Sequence, residues 1–204
     1  MPARVRPGAD IRRRDTAPGW DHPGMTTTTG TVTVRRVRAE EWRAVKELRL
    51  AALQDPMAPV AFLETYETAA ARPDGFWQDR AQGNATGDAV AGFAAVAAGR
   101  WVGTVTALVE EPGQTDVLGG PVRRRQAHLV GVFVRPEHRG AGLLRRLFAA
   151  AEEWARSRGV EVARLCVHVD NPRAQAAYRK IGYTPSGERF ILTAGEEIEM
   201  VRPL

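Results

Sequence analysis

Cysteine, long apolar runs and metal-ligand spacings are what this sequence has least of. A single cysteine, Cys166, excludes an intrachain disulfide and fits a reducing compartment. No stretch approaches the ~20 apolar residues of a membrane-spanning helix, and the N-terminus lacks the apolar core of a secretory signal. The expectation is a cytoplasmic protein without a membrane partner. No zinc-finger spacing is present, and no metal is expected. Basic runs interleaved with aromatics are also missing, so nucleic acid is a disfavoured partner despite a net charge of +5. Neither the Gly-Lys-Ser/Thr of a Walker loop nor the third glycine of a dinucleotide fingerprint occurs.

What is present fits one domain. At 204 residues, 44% hydrophobic and 26% charged, the chain can bury one sizeable core and is short for two. Residues 1–30 read differently. Arg4, Arg6, Arg12, Arg13 and Arg14 alternate with Pro, Gly and Asp without an apolar period, which predicts a disordered N-terminal extension. Met25 is a candidate translation start, and a nucleic-acid-binding arm is the alternative for the arginines. The folded part is expected over 31–204.

Residues 31–37 read as a strand, and 39–54 as a helix closed by Pro56 and Pro59. Residues 61–82 read as a second helical stretch, interrupted at Pro73-Asp74-Gly75. Two apolar runs, 89–98 and 100–110, flank Gly99 as a hairpin. Residues 111–125 form a Gly/Pro-rich loop ending in Arg123, Arg124 and Arg125, a triplet that is solvated by default, with phosphate or an acidic substrate as the alternative contact.

Residues 129–147 organise the rest. Val130, Val132 and Val134 alternate with Leu129, Gly131 and Phe133 as a strand that Pro136 stops. Leu143, Leu144, Leu147, Phe148, Ala151, Trp154 and Ala155 then recur at helical steps, with Arg145, Arg146, Glu152, Glu153 and Arg156 opposite. Between them, Gly140 and Gly142 let a ligand lie against main-chain N–H groups at a helix N-terminus. On spacing alone this corner is either a phosphate site or a simple turn. Downstream, 160–169 read as a strand, and Asn171-Pro172 opens a helix whose stripe is Ala174, Ala177, Tyr178 and Ile181. Two last strands follow near 189–193 and 196–202. The order predicts an α+β (mixed α/β) domain, a mostly antiparallel sheet of about seven strands with a central parallel pair and helices on both faces.

Val134-Arg135-Pro136-Glu137 followed by Arg139-Gly140-Ala141-Gly142-Leu143-Leu144 resembles the acyl-CoA pyrophosphate loop of the GNAT superfamily of N-acyltransferases. Leu144 stands where a small residue is usual. Asn171, Ala174, Tyr178, Gly182 and Tyr183 resemble the family's second motif, in the right order and spacing. The likeness covers 31–204 and is strongest over 127–184. It implies acetyl-CoA as cosubstrate and direct attack on its thioester by a primary amine, on a small molecule or a peptide, within a ternary complex. It implies that N–H groups from Arg139 to Leu144 cradle the pyrophosphate, that the strand edge near Phe133 and Val134 pairs with pantetheine, and that Asn171 holds the same arm. It further implies that the sheet splays after this strand.

Tyr178 matches the tyrosine that assists the departing thiolate, and is otherwise a core tyrosine. A phenol of pKa ~10 does not readily protonate a thiolate of ~8.5, so stabilising the developing charge describes the role better. His128 stands where several members carry a catalytic glutamate; a general base and a satisfied, half-buried imidazole both suit it. His168 and Glu64 are reserve bases. Phe62, Glu64, Tyr66 and Trp77 are candidate acceptor contacts, with core aromatics and a surface glutamate as the plainer alternative. Cys166 reads as a small buried hydrophobe rather than an acyl carrier. Two other functions remain on sequence grounds: a non-catalytic acyl-CoA sensor, and a nucleic-acid-binding protein. A homodimer is compatible with the sequence.

Overall fold

The computed structural model describes residues 31–204; the expected N-terminal extension and the candidate start at Met25 lie outside them. The chain runs β1 (Thr33–Arg36), α1 (Trp42–Leu53), α2 (Ala58–Ala61), α3 (Tyr66–Ala70), α4 (Asp74–Thr86), β2 (Val90–Ala97), β3 (Arg100–Glu110), β4 (Gln126–Val134), α5 (Leu143–Ser157), β5 (Val162–His168), α6 (Pro172–Lys180), β6 (Thr184–Leu192) and β7 (Gly195–Pro203). The expected second helical stretch, 61–82, holds the end of α2, the short α3 and most of α4, which begins at the expected interruption. Local caps divide it: the Thr65 side chain accepts from the Thr68 N–H at the start of α3, and Pro73, extended, precedes α4.

All seven strands form one sheet in the order β1-β2-β3-β4-β5-β7-β6, antiparallel except for β4 against β5. Each face carries its own core. On one, α5 lays Leu147, Phe148, Ala151 and Ala155 over Val105, Ala107 and Leu129. On the other, α1 and α4 bury Leu48, Trp77 and Ala81 against Ala94, Trp101 and Phe133. Burying these side chains contributes on the order of 1.5–3 kcal/mol each for the larger ones. Glu152, expected on the outer face of α5, is buried instead. The Tyr183 hydroxyl donates to its Oε1 at 3.0 Å and Arg202 Nη1 lies 3.2 Å from its Oε2, so partners from other elements satisfy the inward charge.

Two irregularities of β4 create the site. The first is its brief pairing with β5, through Ala127↔Ala163 and His128↔Arg164 only, after which the strands part. The second is a bulge against β3: Thr106 pairs with Val130 but Thr104 pairs with Phe133, so the β4 side holds one residue too many. Gly131, with φ +62°, sits in that bulge. The extra residue inverts the side-chain alternation. Ala127 and Leu129 face α5 before it, whereas Val132 and Val134 face α5 after it and Phe133 turns to α1. The single alternation read across 129–134 is therefore broken at Gly131. His128 shares a face with Val130 but not with Val132.

Candidate active site

A cavity of about 970 Å³ opens where β4 and β5 part, bounded by α6, the α1–α2 segment and the N-terminus of α5. At its first end the chain leaves β4, makes one 3₁₀ turn over Pro136–His138 and enters α5 through Gly140 and Gly142. Both glycines have φ near +75°, at +79° and +75°. No heavy atom lies within 4 Å of where a Cβ would stand at either, so the left-handed backbone, not crowding within the protein, requires glycine. Among the described residues no side chain caps α5, which leaves the first-turn N–H groups of Leu143, Leu144 and Arg145 without a cap at the positive end of the helix, beside the cavity. Ala141 is exposed at the turn. Leu143 is buried under α5, and Leu144 packs half-buried against the same core while bordering the cavity.

The Arg139 side chain does not extend along this cradle. Its Nε donates to the Val134 carbonyl at 2.8 Å, its Nη2 pairs with Asp55, and the guanidinium lies 5.7 Å from the Phe133 ring centre. Burial alone would raise the Asp55 carboxyl, but Arg139 and the Met57 N–H outweigh it and hold the group below its usual range. Arg139 thereby ties the loop to the end of α1.

The Arg135 N–H donates to the Val102 carbonyl at 2.8 Å. By the two-residue alternation of an antiparallel ladder, Phe133 is likewise bonded to β3, and the peptide groups of Val134 face the gap. Of the two strand-edge positions, Val134 thus offers its N–H to the cavity, its carbonyl being engaged by Arg139, and Phe133 does not.

Deeper in, His128 is almost fully buried yet borders the cavity. Its Nδ1 lies 2.9 Å from Glu110 Oε1, and Gln126 Nε2 donates to Glu110 Oε2 at 2.9 Å. Burial would raise the Glu110 carboxyl; the His128 and Gln126 bonds and nearby Arg164 bring it below its ordinary value. An ionised Glu110 accepts, so Nδ1 donates and Nε2 is the nitrogen left to the ring for proton exchange. Among the described residues Nε2 has no hydrogen-bond partner.

Across the gap, the Tyr178 ring sits half-buried against Phe148, 5.6 Å between ring centres, and borders the cavity. Burial, with a smaller contribution from Glu197, pushes its phenol well above the usual value, keeping it a hydroxyl donor. Asn171 Oδ1 accepts from the Ala174 N–H at 3.1 Å as the cap of α6, leaving its amide nitrogen without a protein partner among the described residues.

A model of the "Acetyltransferase (GNAT) family" matches residues 42–183. The chain belongs to the GNAT acetyltransferase family. A protein of Bacillus subtilis (strain 168), named as a ribosomal protein bS18-alanine N-acetyltransferase, is 35% identical over 63 residues, which cover 31% of this chain and 42% of that relative's length. A GNAT-family acetyltransferase from Streptococcus pneumoniae superposes with a TM-score of 0.68 at 15% identity, covering 85% of this chain and all of that one. An N-acetyltransferase from Thermoplasma acidophilum, solved in complex with coenzyme A, does so with a TM-score of 0.60 at 15% identity, covering 85% and 99%. These superpositions describe a shared fold.

Several other GNAT-site candidates are engaged elsewhere. His168 accepts from the Asp170 N–H at Nδ1 and donates from Nε2 to the Ala194 carbonyl, so neither nitrogen is free to take a proton. Glu64 is held by Arg49 and Arg72. Trp77 is wholly buried between α4 and the sheet and cannot touch a substrate, whereas Phe62 and Glu64 do line the cavity. Cys166 borders it too, but burial, only partly countered by Arg164, pushes its thiol up to about 12, far from a nucleophile's range.

Other cavity residues have no motif. Arg145, Arg173 and Lys180 line the loop end; the seven-residue step from Arg173 to Lys180, two helical turns, is the one signal that places two of them on a common face. Glu110 ends β3, and its link to His128 is cross-strand and diagonal, invisible without the register.

Proposed function

We propose that this protein is an N-acetyltransferase that moves the acetyl group of acetyl-CoA to a primary amine by direct attack in a ternary complex. The observation that carries it is the alignment of three features along one cavity. These are an uncapped helix N-terminus behind two left-handed glycines, a gap between β4 and β5, and His128 and Tyr178 on the walls of the same space.

The N–H groups from Arg139 to Leu144 hold the pyrophosphate, with Arg145, Arg173 and Lys180 adding positive potential. Arg139 acts through its backbone and by keeping the loop in place. Pantetheine lies in the gap as an added strand, accepting from the Val134 N–H beside Phe133, with the Asn171 amide as a further donor. Acetyl-CoA bound this way puts its thioester at the Gly131 bulge. An alkylammonium of pKa ~10.4 must lose a proton before it attacks; His128 Nε2 takes that proton, directly or through water. The amine then adds to the thioester carbonyl, the C–S bond breaks, and the Tyr178 hydroxyl stabilises the charge that collects on sulfur until the surplus proton shed by the new amide nitrogen reaches it through water.

Calorimetric titration with acetyl-CoA tests the first half: binding is expected, and none across a range of salt would defeat the proposal. Thiol release over a panel of amines tests the second. Binding without turnover of any amine would make the protein an acyl-CoA sensor. Tyr178→Phe is expected to lower kcat about 10²-fold, and full turnover by that variant would remove Tyr178 from the mechanism.

A further inference from the structure

The acceptor end of the cavity is walled by α1, α4 and the segment between α2 and α3. This wall is charged asymmetrically. Arg49 on α1 and Arg80 on α4 both line the cavity, and among the described residues Glu64 is the carboxylate whose field acts on both. Arg49 is already committed to it, with Nε and Nη2 at 3.3 and 3.2 Å from Glu64 Oε2, and its guanidinium stacks 4.5 Å from the Phe62 ring centre. Arg72 reaches the other carboxylate oxygen at 3.6 Å from the solvent side. Glu64 is thereby shared by two guanidinium groups before Arg80 is counted.

Arg80 is half-buried and, among the described residues, has no carboxylate within 4 Å and no side-chain hydrogen bond. Burial penalises its charge, and only the field of Glu64 counters this. A guanidinium in such a place is partly desolvated, has no protein partner among the described residues, and stays open to an anion in the cavity. Its position matters as much as its charge. Arg80 also lines a small recess shared with Gly131, Thr104 and Thr106, so it reaches the stretch of β4 where the strands part.

We infer that the acceptor amine carries a carboxylate close to its nitrogen, as a free amino acid does, and that Arg80, assisted by Arg49, receives that carboxylate. This rests on the acetyl-transfer reading above and names its substrate class. A purely cationic amine would meet an excess of positive charge on this wall. An amino acid brings the missing anion, and a planar guanidinium accepts it through two parallel N–H···O bonds. Anchored there, the carboxylate sets its own amine a few bonds away, toward His128 and the bulge at Gly131. Arg80 is on this account a specificity-determining residue; the proton and acetyl transfers do not pass through it.

The test compares matched acceptors, amino acids against their carboxamides and their decarboxylated amines, by kcat/KM and by titration into the protein saturated with CoA. The free acids are expected to be favoured about 10- to 100-fold, and Arg80→Gln to bring the ratio of acid to amide close to one, with Arg80→Lys intermediate. An acetyl-CoA titration of each variant reports whether it has folded; should Arg80→Gln fail it, Arg80→Lys carries the comparison. Equal use of acids and amides by the unaltered protein, a preference for decarboxylated amines, or an unchanged ratio in a folded variant would each overturn the inference and leave acetyl transfer standing. Absence of acetyl-CoA binding by the unaltered protein would instead remove the reading beneath it.

Discussion

His128 and Glu110 form a buried cross-strand pair, with Nδ1 2.9 Å from Oε1, on adjacent strands at the point where the sheet begins to open. The arrangement assigns Nδ1 as the donor and leaves the other nitrogen without a hydrogen-bond partner among the described residues. His128→Gln should lower kcat by about 10²-fold or more while leaving acetyl-CoA affinity intact. Glu110→Gln should act in the same direction by a smaller factor, because it disturbs orientation rather than the base itself. Steady-state kinetics on the two variants, each with a titration of acetyl-CoA, decides the matter. Unaltered kcat in His128→Gln would leave the imidazole a structural group.

Stability should fall in acid. Asp55, Glu110 and Asp116 are all pushed upward by burial, yet hydrogen bonds from Arg139, from His128 and Gln126, and from Arg164 with the Gly120 and Leu118 N–H groups bring each below its ordinary value. A carboxyl held low in the folded state stabilises it above the unfolded pKa, and that contribution is lost as pH falls through the folded one. Urea unfolding should be nearly flat between about pH 7 and 5 and weaken progressively below about pH 4. A midpoint that stays constant down to pH 2.5 would contradict these pairings.

Arg164 should be among the least replaceable residues. Only 3% exposed, it lies 2.7 Å from Asp116, 3.5 Å from Glu199 and 3.9 Å from Glu110. Arg164→Met removes the cation and strands the anions, which costs about 3–5 kcal/mol. Adding Asp116→Asn to that background should recover part of the loss. Chemical denaturation of the single and double variants tests this, and a double variant weaker than the single would refute the account.

Gly142→Ala separates backbone strain from ligand space. With φ +75° and nothing within 4 Å of the added methyl, the apo protein should lose only about 1 kcal/mol. The methyl nevertheless projects where a ligand would approach the main chain, so acetyl-CoA affinity should drop more than stability does. Equal losses would mean that the glycine serves the fold alone.

Much of this was legible in the sequence because it rests on local patterns. The 3.6 period of α5, the Asn171-Pro172 cap and the glycines of the loop are each set within a few residues. What was not legible depends on register or on distant partners. The bulge at Gly131 shows only when β3 is laid beside β4. Glu152 looks like a surface charge until Tyr183 and Arg202, 31 and 50 residues later, fold over it. Arg80 sits in a helix without a clear apolar period, and its isolation becomes visible only when every carboxylate around it has been placed.

The bulge at Gly131 carries a last consequence. Because it is one surplus residue in a two-residue rhythm, β4 is a strand whose two halves answer to different faces of the sheet. Exchanging Gly131 for another residue alters one position. Deleting it would place Val132 directly after Val130 and restore the rhythm with every remaining side chain on its present face, so the core would keep its pattern while the bulge beside the cavity was lost. A change in count rather than in kind would therefore part the site from the fold, and a screen confined to substitutions would pass over it.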